Sequence, residues 1–162
     1  MAEWENSFPS FWAGMLDYLE IRQYDVTKQR AKSLSRRWMD FTFGIGGMNF
    51  YLSLNQDYIR VGLNLDSTKT RNAFDTYLEI KKQKSQIEHA FGSNFGPPIW
   101  EQRTEKRCSI RCERHVDFES SSTMDWPEYY EWMERHLGRF QMVFLPRLEN
   151  LRGQLNPNRN PT

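Results

Sequence analysis

WMDFTFGIGGMNFYLSLNQDYIRVGLNL, residues 38–65, carries three short runs of alternating apolar side chains. Met39, Phe41 and Phe43 form the first, and Gly44, Gly46 and Gly47 interrupt it. Phe50, Leu52 and Leu54 form the second. Asn55-Gln56-Asp57 turns the chain into Ile59, Val61, Leu63 and Leu65. Period-two alternation broken by Gly and Asn/Asp predicts antiparallel strands with one buried face. A meander of this kind has to cover that face with helices.

The flanks supply them. Ser10 is placed to cap a first helix carrying Phe11, Met15, Tyr18 and Leu19. After the meander, Asp66-Ser67-Thr68 precedes a long helical stripe from Lys69 to Phe91, which Gly92 ends. Ile99-Trp100-Glu101 and Arg107 to Val116 read as two more strands, with Cys108, Ile110 and Cys112 alternating against Arg107, Ser109 and Arg111. Asp125-Trp126-Pro127-Glu128 has the form of a capping box before a last helix, which Pro146 is expected to kink or end. The predicted class is α+β: an antiparallel sheet of about five strands and three main helices in the order α-β-β-β-α-β-β-α. The expected organisation is a single domain over residues 7–151, with a polar, Pro/Asn-rich disordered tail over 152–162.

The chain has 162 residues, 38% hydrophobic and 15% aromatic, enough for a substantial core. Lys+Arg 22 against Asp+Glu 21 leaves a net charge of +1, so any basic character is local. No apolar run approaches the ~18 residues of a membrane span. The N-terminus lacks a secretory pattern, and two cysteines make no disulfide framework. A cytoplasmic protein with no cofactor and no membrane contact is the simplest expectation.

Several patterns invite chemistry and lose it on inspection. Cys108, Cys112 and His115 have a metal-like spacing, but they sit on a strand without a fourth ligand and read as core cysteines. Asp75, Glu79 and Lys82 lie on a helix and read as a solvated, ion-paired face. Gly44, Gly46 and Gly47 join strand to strand rather than strand to helix, so they are turn glycines and not a phosphate loop. The histidines at 89, 115 and 136 are scattered, and no nucleophile has a motif around it. No catalytic residue is assigned.

What remains is cationic. Arg22, Lys28, Arg30, Lys32, Arg36 and Arg37 stand against Asp25 alone, and Arg103, Lys106, Arg107, Arg111 and Arg114 form a second group. If the two met, Arg30, Lys32, Arg36, Arg37, Arg107 and Arg111 would contact phosphates of DNA or RNA, with Trp38 or Trp100 stacking on bases. A different class of function, docking of a protein partner or self-association, would use exposed Trp4, Trp12, Trp126 and Tyr130.

A set of landmarks carries a family resemblance. It comprises Trp38-Met39-Asp40-Phe41 into Gly44-Ile45-Gly46-Gly47, Arg60-Val61 with Leu63, Phe74, Ile87-Glu88 to Phe91-Gly92, and Trp100-Glu101. Lys106-Arg107 with Ser109-Ile110, Asp125-Trp126-Pro127-Glu128 with Trp132, and Phe144 with Pro146-Arg147 complete it. Over residues 8 to 151 the chain resembles a bacterial family of domains of unknown function whose members are often associated with restriction-endonuclease-like or nuclease-linked proteins. The resemblance implies DNA-linked or defence-linked work in a bacterium or phage, with any nuclease role needing a protein partner. Beside it, the residues themselves lead to the expectation of a small non-catalytic module that binds nucleic acid or assists a nucleic-acid-processing or defence system. It carries over no catalytic residues.

Overall fold

A computed structural model describes residues 3–22, 36–68 and 72–155. A short 3-10 turn (Glu3–Ser7) leads into α1 (Phe8–Ile21), then β1 (Trp38–Phe41), β2 (Met48–Leu54) and β3 (Tyr58–Asp66). Two helices, α2 (Asn72–Lys82) and α3 (Lys84–Phe91), precede β4 (Ile99–Gln102), β5 (Arg107–His115) and α4 (Trp126–Leu155). The α+β class holds, with four α-helices among the described residues and a five-stranded antiparallel sheet.

The sheet order is β1-β2-β3-β5-β4. Gly44 and Gly47, at φ 84° and 77°, make the β1–β2 connection in a backbone region that other residues rarely enter. After β3 the chain crosses through α2 and α3 to the far edge, lays down β4, and returns as β5 between β4 and β3. Strand pleating then sorts the side chains. Phe50, Leu52, Leu54, Ile59, Val61, Leu63, Ile110, Cys108 and Cys112 are buried under the helices. Asn49, Tyr51, Ser53, Arg60, Asn64, Ser109 and Arg111 go to the other face.

Three local expectations change. Helix α1 starts at Phe8, with Ser7 rather than Ser10 at its N-cap and no side-chain capping bond. The stripe from 69 to 91 is broken at Gln83, whose amide donates to the Ile80 carbonyl at 2.9 Å. Lys81, Lys82, Lys84, Ser85 and Gln86 offer no apolar group to hold one straight rod. The break lets α3 turn Phe91 onto Phe140 of α4, 5.0 Å between ring centroids. Helix α4 runs through Pro146 to Leu155, beyond the expected boundary at 151. Proline deprives the carbonyl four residues back of its donor, and here that residue is Met142, at an exposed position of the helix. Residues 156–162 lie outside the described residues.

Candidate nucleic-acid interface

Among the described residues, no helix covers the face opposite the core. This face holds a groove of about 700 Å³ lined from β1, β2, β3, β5 and the β4–β5 hairpin. Strand register orders this face of the sheet into rows. Trp38, Ser53, Arg60 and Glu113 make one row, Asp40, Tyr51, Gly62 and Arg111 the next, and Asn49, Asn64, Ser109 and Glu101 a third. Asp66 faces Arg107 at the end. From Arg60 to Asp66 the floor extends about 20 Å, six residues at the usual strand rise.

Tyr51 lies across Gly62. A Cβ built on Gly62 would come 2.6 Å from the Tyr51 ring, so the glycine is what lets the ring lie flat. The tyrosine hydroxyl reaches Ser109 Oγ at 3.0 Å, and both residues are buried. Burial of the ring pushes the Tyr51 phenol above its ordinary range.

The arginines of this face fall into two kinds. Arg111 lies between two carboxylates: it donates to Glu101, and its Nε donates to Glu113 at 2.7 Å. Arg60 adds a 2.6 Å ion pair to Glu113 and stacks over Tyr58, and Arg103 Nε donates to Glu101 at 3.1 Å. Burial raises the Glu113 carboxyl, but hydrogen bonding from Arg111 and the charge of Arg60 outweigh it and hold the group below the usual carboxylate range. The Arg111 side chain keeps only 11% of its exposure. Its charge is met within the sheet by Glu101 and Glu113, and the three side chains brace β4 against β5.

Arg107 is of the second kind. Its side chain is 64% exposed, with one loose pair to Asp66 at 3.9 Å. Arg36 stands with its guanidinium 5.8 Å from the ring of Trp38, which is itself 47% exposed on the groove. Arg37 lines the groove, pairs with Glu5 and lies over Trp4. The backbone here is fixed: Trp12 Nε1 donates to the Arg36 carbonyl at 2.7 Å, and the Leu54 amide to the Arg37 carbonyl at 2.7 Å.

Of the six cations read from the sequence, the structure thus brings Arg37, Arg107 and Arg111 to one face, with Arg36 beside it at Trp38. Arg30 and Lys32 lie outside the described residues. The groove separates the two groups, Arg36 and Arg37 at the Ser53 end and Arg103 with Arg107 at the Asp66 end. Arg114 belongs to the other face, opposite Ile59 and paired with Glu128 at 2.5 Å. Arg60, Asn49, Asn64, Tyr51 and Ser53 were not singled out by the sequence, because ordinary residue types gain meaning here only from cross-strand register.

The remaining candidates are repositioned too. Trp100 packs beneath the sheet against Tyr77, 6.3 Å away, and offers no stacking platform. Trp12 and Tyr130 are buried, Tyr130 donating to the Phe11 carbonyl at 2.8 Å. Trp126 stacks on Phe118, and Trp4 meets Phe8 and Phe118 edge-on. These four aromatics weld α1 to α4 and do not form an exposed patch. Burial pushes the Cys112 thiol up to about 12, as expected of an inert core cysteine. Cys108 and Cys112 face the core while His115 lies on the opposite, exposed side. Among the described residues, no three His, Cys, Asp or Glu side chains converge as a metal site. No helix among them is long and apolar enough to cross a membrane.

Residues 9–148, most of the chain, match the family described as Domain of unknown function (DUF4268), and the protein belongs to that family. No curated protein matches it.

Proposed function

We propose that this member of the family binds single-stranded nucleic acid along the open face of its sheet, as a non-catalytic module of a bacterial or phage nucleic-acid-processing or defence system. One observation carries the reading. Exposed arginines from two distant parts of the chain, Arg36 and Arg37 before β1 and Arg103 and Arg107 in the β4–β5 hairpin, flank a single groove with exposed Trp38 at one end. Cations at both ends of a channel bind a backbone running between them, and an exposed indole stacks on an unpaired base. A duplex hides its base faces, so Trp38 favours a single strand. The length of about 20 Å suits the short end, about 4 nucleotides, of known single-strand sites.

The test is fluorescence anisotropy with labelled single-stranded and duplex DNA and RNA over a salt series. Single strands should bind saturably, with log K falling linearly in log salt. Arg37→Ala/Arg107→Ala should flatten that slope by about 1.4, since each phosphate contact to a single strand contributes about 0.7. Trp38→Ala should weaken binding roughly 5- to 100-fold with the slope unchanged, the range expected for one lost stacking contact. Absence of binding at low salt would overturn the reading and direct the search to a protein partner, captured by crosslinking from the native host.

A further inference from the structure

Resting on that reading, we infer that the groove discriminates among bases, accepting adenine and cytosine, which carry an amino group at purine C6 or pyrimidine C4, over guanine and thymine or uracil, which carry a keto group at that position. The observation is the polar row across the middle of the floor. Asn49, Asn64 and Ser109 are cross-strand neighbours in register on β2, β3 and β5, and all three line the groove. Such neighbours have Cβ atoms roughly 5 Å apart, so the row is as wide as one base.

The hydrogen-bonding state of the row gives it a direction. The Asn49 amide nitrogen is committed, donating to Asp40 Oδ1 at 2.9 Å and to the Phe50 carbonyl at 3.2 Å. Its carbonyl oxygen is therefore the part left to face a ligand, as an acceptor. The Asn64 side chain lines the groove and makes no hydrogen bond among the described residues, so both its oxygen and its nitrogen are available. Beside it, the buried Tyr51–Ser109 hydroxyl pair consumes one of its two hydrogens in the 3.0 Å bond.

An amino base meets these demands together. Its amino group has two hydrogens, one for the Asn64 oxygen and one for the Asn49 oxygen, and the adjacent ring nitrogen accepts from the Asn64 amide. Adenine and cytosine present this donor–acceptor pair on the edge that a single strand leaves open. A keto base can still pair with Asn64 turned over, its oxygen taking the Asn64 amide and its ring N–H the Asn64 oxygen, but it sets that keto oxygen against the Asn49 oxygen, which cannot turn because Asp40 and the Phe50 carbonyl hold its amide nitrogen. Arg107, opposite Asp66, lies two residues along the strand, about 7 Å, where it holds the backbone without reading the base.

The discriminating experiment changes the ligand by one functional group. Affinities are measured at one salt concentration for four labelled 12-mers: oligo-deoxyadenosine, its deoxyinosine counterpart with the amino group replaced by keto, oligo-deoxycytidine, and oligo-deoxyuridine. The expected result is about 10-fold tighter binding of each amino oligomer than of its keto counterpart, the scale of one hydrogen bond to Asn49 replaced by two opposed acceptors. Asn49→Ala should erase that ratio while leaving the salt slope in place, whereas Asn64→Ala should weaken amino and keto oligomers alike. Equal affinities for amino and keto oligomers in the wild-type protein overturn the base selectivity and leave strand binding standing. No binding of any of the four overturns the underlying reading instead. Adenosine monophosphate, added as a competitor, separates a strand site from a mononucleotide site. Competition at a concentration near the oligomer's own Kd would overturn the strand assignment. Because the wild-type comparison needs no protein variant, it stands even if either variant folds poorly.

Discussion

The two faces of the same sheet are stabilised by different physics. Under the helices, Phe50, Leu52, Leu54, Ile59, Val61, Leu63 and Ile110 meet Phe11, Met15, Phe91, Phe140 and Phe144 in one continuous apolar core. Area removed from water is the currency there, and tight packing makes each side chain matter. On the other face Arg60, Glu113, Arg111, Glu101 and Arg103 alternate in sign across the strands. Pairs of this kind, part-exposed and screened by solvent, contribute little net stability each. What they do is hold long side chains in place. One face makes the protein fold, and the other, freed from that burden, has room for a ligand.

The sharpest way to break this contrast is a pair of truncations. Phe140→Ala removes a fully buried ring held against Phe91 and Phe144 and should cost about 3–5 kcal/mol. Ser53→Ala, on the open face, should stay within about 0.5 kcal/mol of wild type. Urea denaturation with an unchanged m-value checks both. Comparable losses at the two positions would mean that the open face is part of the core after all.

Gly62→Ala probes the one place where the open face is packed like an interior. The new Cβ would press on the Tyr51 ring, which is pinned by its bond to Ser109, and should cost about 1–3 kcal/mol. Adding Tyr51→Ala should recover part of that loss, because the clash disappears with the ring. A double variant whose cost is the plain sum of the singles would show that the ring and the glycine are not coupled.

How much of this was legible in the sequence follows from the range of the interactions. Alternation made β2, β3 and β5 readable, since period two is a local consequence of pleating that each strand carries by itself. It also placed Arg107 and Arg111 opposite Cys108 and Cys112. The break at Gln83 and the run of α4 through Pro146 were not readable, because both depend on which side of the helix meets solvent. Charge counting named Arg111 as a phosphate ligand, yet Glu101 reaches it only through the β4–β5 register. The groove floor was least visible of all. Asn49, Asn64 and Ser109 are ordinary strand residues until three segments of the chain align them. Aromatic content misled for a related reason: Trp4, Trp12, Trp126 and Tyr130 are abundant material for an interface, and the chain uses them to seat α1 on α4.

The smallest expected effect concerns acid. In the folded protein burial raises Glu101 and Glu113, but hydrogen bonds and charge from Arg103, Arg111 and Arg60 overcome it and leave both below their ordinary range. The unfolded chain then takes up protons at higher pH than the native one, so stability rises with pH across that interval. The contribution is complete above the unfolded carboxylate value, about 4.3, and is lost as pH falls through the lower folded values. Glu113→Gln removes one of these carboxylates. At pH 7 it should cost about 0.5–1 kcal/mol after solvent screening. The gap between wild type and variant should close as pH is lowered from 6 toward 3, because protonation then does to the wild type what the substitution did to the variant. A gap that stays constant with pH would assign the loss to packing of the glutamine and not to charge. The same variant also bears on the ligand. Removing one negative charge from this face should tighten single-strand binding slightly, whereas a weaker complex would show that the Arg60–Glu113–Arg111 brace has to be intact to hold the binding face in shape.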